Sequence, residues 1–123
     1  MGEPREVSVL DSGPSCPELM IVEGGGYARA VVRPSMGAEH RSLNRIRLDA
    51  AARTVALSHP MEAVYYVMAG SGAVAAPAGR DEQSLREGSM IHIEAGTGYR
   101  FIAGADGMEI LGGPCPFDPK LYR

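Results

Sequence analysis

Short strand-like segments recur along this chain about every 8 to 12 residues with glycine between them, and few folds other than a sandwich or barrel accept that rhythm. The expected strands are Leu19 to Glu23, Tyr27 to Arg33, Ser42 to Leu48, Thr54 to Leu57, Ala63 to Ala69, Gly72 to Ala76, Gln83 to Arg86, Met90 to Glu94, Tyr99 to Ala103 and Met108 to Gly112. Gly24 to Gly26, Gly70 to Gly72, Gly88, Gly96 to Gly98 and Gly104 to Gly107 separate them. Pro34 ends its strand because proline cannot donate to a ladder. Asp49 to Arg53 is too short for a helix of its own and reads as a connection. The spacing predicts an all-β chain, with no helix beyond a turn at Pro119 to Tyr122.

The boundaries follow from proline and glycine. Pro4, Gly13, Pro14 and Pro17 break up residues 1–18, leaving a partly irregular arm with at most a short strand at Val7 to Leu10. Residues 19–113 are expected to form the barrel, and the proline-rich residues 114–123 a tail packed along its surface. Ser42 to Leu48 alternates, with Asn44, Ile46 and Leu48 on one face and Leu43, Arg45 and Arg47 on the other. The apolar face wants burial, so the arginines are expected outside; on a lumen face they would instead grip a carboxylate or phosphate.

A chain of 123 residues with 45% hydrophobic content suits one domain. Net charge is −3, Lys120 is the only lysine and no basic run occurs, which argues against a nucleic-acid surface. No apolar window approaches the ~18 residues of a membrane span. The first ten residues lack the charged start and apolar run of a signal peptide, so a cytoplasmic location is expected. Cys16 and Cys115 lie far apart and read as reduced thiols in loops near the termini, with a bridge or a functional Cys115 as the alternatives.

The stretch from Thr54 to Gly72 (TVALSHPMEAVYYVMAGSG), together with Gly88 to Phe101 (GSMIHIEAGTGYRF), resembles the two signature motifs of the cupin superfamily. Anchored on Gly70, the first motif places its glutamate at Ala63 and its two histidines at Leu57 and His59. Anchored on Gly88 and Gly96, the second places its proline at Glu94 and its histidine at Tyr99. The resemblance implies a double-stranded β-helix, an antiparallel jelly-roll whose lumen opens at one end. It also implies homodimers that often exchange an N-terminal strand, with Leu19 to Glu23 or Tyr27 to Arg33 as the segment. Glu62-Ala63-Val64-Tyr65 and Gly96-Thr97-Gly98-Tyr99 further resemble ectoine synthases, whose glutamate and tyrosine at such positions are implicated in iron binding. The third ligand of those enzymes, a later histidine, has no counterpart after Tyr99.

His59, Glu62 and Tyr99 are therefore the candidate catalytic residues, provided a bend at Pro60 turns His59 and Glu62 to the same side. An imidazole can act as base, acid or ligand, and a phenol is a better hydrogen-bond donor than metal ligand. Met61, Tyr65, Val67, His92 and Phe101 are the candidate substrate-binding residues, although filling the core is the ordinary role of such side chains. The function expected is acid–base chemistry on a small, partly apolar organic molecule, of isomerase, cyclase or lyase type. One alternative keeps a single divalent metal, Fe, Zn, Mn or Ni, on His59, Glu62 and Tyr99. The other is a non-catalytic barrel that binds a small molecule.

Overall fold

The computed structural model describes residues 7–33, 38 and 40–122. Eight strands follow in order: β1 Val22–Glu23, β2 Gly26–Val32, β3 Leu43–Leu48, β4 Arg53–Thr54, β5 Glu62–Ala75, β6 Gln83–Arg86, β7 Met90–Ile93 and β8 Arg100–Cys115. A 3₁₀ turn at Pro119–Tyr122 closes the described chain. All pairings are antiparallel. This is the expected all-β jelly-roll, and β5 and β8 are its spine.

Each of those two long strands serves both halves of the barrel. The first part of β5 pairs with the end of β8 (Tyr65 opposite Gly112) and with β7 (Tyr65 opposite Ile91). Its last part pairs with the start of β8 (Ala73 opposite Ile102) and with β6 (Ala73 opposite Ser84). One half of the barrel thus runs β2-β3-β8-β5-β7, and the other β1-β4-β8-β5-β6. Among the described residues β6 and β7 pair only with β5, following one another along the edge of β5 that β8 leaves open.

The glycines expected to reverse the chain at 70–72 and 104–107 instead bend it within a strand. Register shifts fall between Val67 and Ala69 and between Gly70 and Gly72, so β5 bulges as it passes from one half to the other. Gly70 sits at φ 78° directly on the backbone of Gly107, where a Cβ would collide with the carbonyl oxygen. Two further expectations shrink. Leu19 to Glu23 narrows to β1 plus a single bridge between Glu18 and Arg29, and Val7 to Leu10 forms no strand and lies exposed. Pro34, residues 1–6 of the expected arm and Arg123 of the tail lie outside the described residues. Among the described residues no helix is long and apolar enough to cross a membrane.

Period-two alternation decides what faces inward. Ile46 and Leu48 of β3, Val67 of β5, Phe101 and Ile110 of β8 are fully buried and form the heart of the core. Burial of that apolar area is the main force closing the barrel. The outward face of β3 carries Arg45, which donates to Glu109 of β8 at 2.7 Å, and the exposed Arg47, as expected from the alternation.

Gly70 and Gly79 separate two costs of adding a side chain. Gly79, at φ 82° with open space around it, should tolerate alanine at about 1 kcal/mol, the conformational penalty alone. Gly70→Ala adds a backbone collision and should lose several times that, roughly 3 kcal/mol or more, in urea unfolding. Equal losses would mean that the β5–β8 bend does not depend on close contact at Gly70.

Candidate functional site

The site begins where β4 runs into the loop that ends at Pro60. Leu57 and Tyr99 exchange both backbone hydrogen bonds at 2.8 Å, and Gly96 N–H donates to the carbonyl of His59 at 2.7 Å. Thr54 Oγ1 accepts from Phe101 N–H at 3.1 Å, fixing the neighbouring turn of the ladder. Pinned in this way, His59 and Tyr99 project side by side into the lumen, their ring centroids 5.6 Å apart.

Four buried side chains form an unbroken chain of hydrogen bonds there. Asp118 Oδ2 lies 2.7 Å from His59 Nδ1, His59 Nε2 lies 2.7 Å from the Tyr99 hydroxyl, and that hydroxyl lies 2.6 Å from the Tyr65 hydroxyl. All four residues are at most 4% exposed. Phe101 packs edge-on against both phenol rings, at 4.8 Å from Tyr65 and 5.6 Å from Tyr99. A buried charge would be costly alone, but this carboxylate is well supplied with partners. Lys120 N–H donates to Asp118 Oδ1 at 3.1 Å, and its ammonium sits 3.8 Å from Oδ2 while donating to Ser58 O at 2.8 Å.

The charge on Asp118 sets every hydrogen in the chain. Burial alone would raise this carboxyl, but the hydrogen bonds from His59 and the Lys120 amide outweigh it and hold the group below its ordinary 3.8. Burial pulls His59 below its ordinary 6.5 against the opposing pull of Asp118, so the imidazole is neutral at neutral pH. An anionic Asp118 must receive its hydrogen from Nδ1, which leaves Nε2 as an acceptor. Tyr99 therefore donates to His59, and Tyr65, left with no other way to bond, donates to Tyr99. Burial also drives both phenols well above their ordinary 10, so both stay protonated.

A cavity of about 560 Å³ is lined by residues of β6, β7 and the end of β5 together with Thr97, Gly98 and Tyr99. Its size is typical of small-molecule sites. Val74, Ala75, Leu85, Ile91 and Ile93 give it an apolar lining, and Asp81, Gln83, Ser84, His92, Glu94 and Thr97 supply polar groups. Of the hydrogen-bonded chain, only Tyr99 lines it.

The structure brings together His59, Tyr99 and Tyr65 and sets Phe101 and Val67 in the buried wall around them. Met61 is half-buried and makes no polar contact with the group. Glu62 is corrected outright. Alternation along β5 points Ala63, Tyr65 and Val67 inward, which turns Glu62 to the outer face, where it is 57% exposed and 3.7 Å from His92. The bend at Pro60 does not undo that parity. His92 is likewise exposed with Met90, and both are among the residues that line the cavity. Sequence reasoning misses Asp118 altogether, because a lone aspartate in a proline-rich tail has no spacing that ties it to a histidine 59 residues away.

The donor set does not fit the alternative of a divalent metal on His59, Glu62 and Tyr99. Glu62 lies on the wrong face, Leu57 and Ala63 offer no donor atom at their inward positions, and both nitrogens of His59 are engaged by Asp118 and Tyr99. Among the described residues no group of three His, Cys, Asp or Glu side chains could share an ion.

No family model and no curated protein sequence matches the chain. Solved structures do. The polyketide cyclase RemF from Streptomyces resistomycificus superimposes with a TM-score of 0.73 at 19% identity, over 93% of this chain and 82% of that one. A cupin-like protein from Thermotoga maritima gives 0.68 at 20% identity, over 89% and 90%. An oxalate decarboxylase from Bacillus subtilis gives 0.74 at 22% identity, over 98% of this chain but 33% of that one. These likenesses show that the chain has the cupin fold.

The direction of the two shifts makes stability sensitive to acid. Unfolded His59 binds its proton near pH 6.5 and folded His59 only at lower pH, so its contribution is complete above 6.5 and declines as pH falls below that value. Asp118, also lowered, adds a second decline below about pH 3.8. Urea midpoints measured from pH 8 to 5 should fall more steeply for the wild type than for His59→Asn, which keeps a donor towards Asp118 but cannot titrate. Parallel curves would contradict a neutral, buried His59.

Proposed function

We propose that this protein is an acid–base enzyme of cupin type, acting on a small, partly apolar organic molecule held in the cavity lined by β6 and β7. The observation that carries the reading is the Tyr65–Tyr99–His59–Asp118 chain, one member of which lines that cavity. Tyr99 is the catalytic residue that meets substrate, His59 is the base behind it, and Asp118 orients and balances His59. Tyr65 steadies the Tyr99 oxygen.

The step is a relayed proton transfer. Tyr99 takes a proton from an acidic C–H or O–H of the substrate while its own proton passes to His59 Nε2. The bonding pair stays on the substrate as an enolate-like anion, and the imidazolium formed is compensated by Asp118. Reversal returns the proton. Delivered to a different atom it completes an isomerisation; if the anion first attacks a carbonyl of the same molecule or expels a leaving group, the outcome is a cyclisation or an elimination. No electrons change hands with an external partner. That a protein of similar fold is named a polyketide cyclase agrees with this class, and it carries no more weight than fold likeness allows.

Deuterium uptake from D₂O into a panel of C–H-acidic ketones and 1,3-dicarbonyls, followed by proton NMR, tests the proposal through the proton-transfer step itself. Wild type should accelerate exchange for members that enter the cavity. Tyr99→Phe and His59→Ala should each remove about 10² to 10⁴ of the rate, and Asp118→Asn a comparable factor with the acid limb displaced. Activity should stay level from neutral pH through 6.5 and fall only at the lower pH where folded His59 protonates. Panel members that bind but never exchange would favour the non-catalytic binding barrel instead.

A further inference from the structure

We propose that the cavity selects a neutral or cationic molecule bearing a hydrogen-bond donor, and that it turns carboxylates away. The inference rests on the cavity being the substrate site of the acid–base reading and narrows what that site admits.

One argument comes from the direction of the hydrogen bonds. A phenol oxygen has one hydrogen to give and two lone pairs to receive. The Tyr99 hydrogen is committed to His59 Nε2 and one lone pair is filled by Tyr65, both at hydrogen-bond distance. What Tyr99 has left for a ligand is a single acceptor site. An O–H, an N–H or an acidic C–H satisfies it, whereas a carboxylate oxygen would meet it lone pair to lone pair.

The second argument comes from charge and is independent of the first. The ionisable groups that line the cavity are Asp81, Glu94, His92 and Tyr99, and no lysine or arginine lines it among the described residues. Arg80 and Arg86 are near in sequence but do not line it. His92 is paired with the carboxylate of Glu62, 3.7 Å away on the outer side. Anion sites in proteins are built from guanidinium forks, ammonium groups or clustered backbone N–H groups. This cavity offers two carboxylates in their place. Their field is partly screened because both side chains reach solvent, so it should discriminate by about tenfold and weaken with salt.

Three ligands of one shape provide the test: 2-naphthylmethylamine, 2-naphthylmethanol and 2-naphthoate, titrated into the whole protein at low salt near neutral pH and followed by the methyl resonances of Ile91 and Ile93. The amine and the alcohol should bind, and the carboxylate should bind about tenfold or more weaker than the amine, the gap narrowing in about 0.5 M NaCl. The double variant Asp81→Asn, Glu94→Gln, altered only at exposed side chains, should close most of the gap between amine and carboxylate. The alcohol should also bind better than its methyl ether, which cannot donate, and that preference should vanish in Tyr99→Phe. A carboxylate that binds as tightly as the amine overturns the proposal, as does a gap unchanged in the double variant or an ether equal to the alcohol. Failure of all three ligands to bind overturns it together with the choice of cavity. Binding in the expected order without proton exchange would strike only the acid–base reading.

Discussion

The hydrogen bond from His59 to Asp118 is the contact on which the character of the lumen depends. Placed 2.7 Å from Nδ1 and almost fully buried, the carboxylate makes one tautomer of the imidazole far more favourable than the other. Everything beyond is then determined in sequence: Nε2 accepts, Tyr99 gives, Tyr65 gives to Tyr99. A chain of hydrogen bonds with a single direction is more than a packing solution, because each member polarises the next. Neutralising Asp118 would free the imidazole to take either tautomer and would leave the phenols without a preferred direction. The carboxylate itself is tolerated in the interior only because it accepts from His59 and from the Lys120 amide while an ammonium lies 3.8 Å away.

The barrel's part is to hold groups that are distant in the chain at hydrogen-bond distance. Tyr65 lies on β5, Tyr99 immediately before β8, His59 in the loop leading to β5 and Asp118 in the tail that leaves β8. All four hang from the β5–β8 pairing, whose bend rests on the close approach of Gly70 to Gly107. The same bend carries β5 and β8 from one half of the barrel to the other, and with β5 go its partners β6 and β7, which both line the cavity. Leu121, buried in the core, anchors the tail and with it the position of Asp118.

What the sequence reveals and what it conceals divide along the range of the interactions. Strand positions are legible because period-two alternation and glycine punctuation are local, and the outward face of Arg45 follows directly from the burial of Ile46 and Leu48. Glycines that bend a strand look the same in sequence as glycines that reverse it, since both need only the freedom of φ, so β5 and β8 each read as two strands. The pairing of His59 with Tyr99 is accessible through the motif resemblance. Glu62 is misplaced when a bend at Pro60 is allowed to overrule the parity that holds elsewhere along the chain. Asp118 is beyond reach for a different reason: its partner lies 59 residues away, and no periodicity or spacing links a tail to a loop.

The positions where the cupin motifs carry metal ligands hold Leu57, His59, Ala63 and Tyr99 in this chain, and the chemistry changes with them. A metal site gathers lone pairs towards one point and leaves them unshared until the ion arrives. Here two positions have lost their lone pairs to apolar side chains, and those that remain on His59 and Tyr99 are bonded to each other. Asp118 and Tyr65 complete the replacement, giving a line of donors and acceptors in place of a ring of ligands. A ring stabilises charge at its centre. A line can pass a proton along it, and the member that lines the cavity is Tyr99, which stands between His59 and Tyr65. That exchange of a ring of ligands for a line of hydrogen bonds is what the proposed proton-transfer reading rests on.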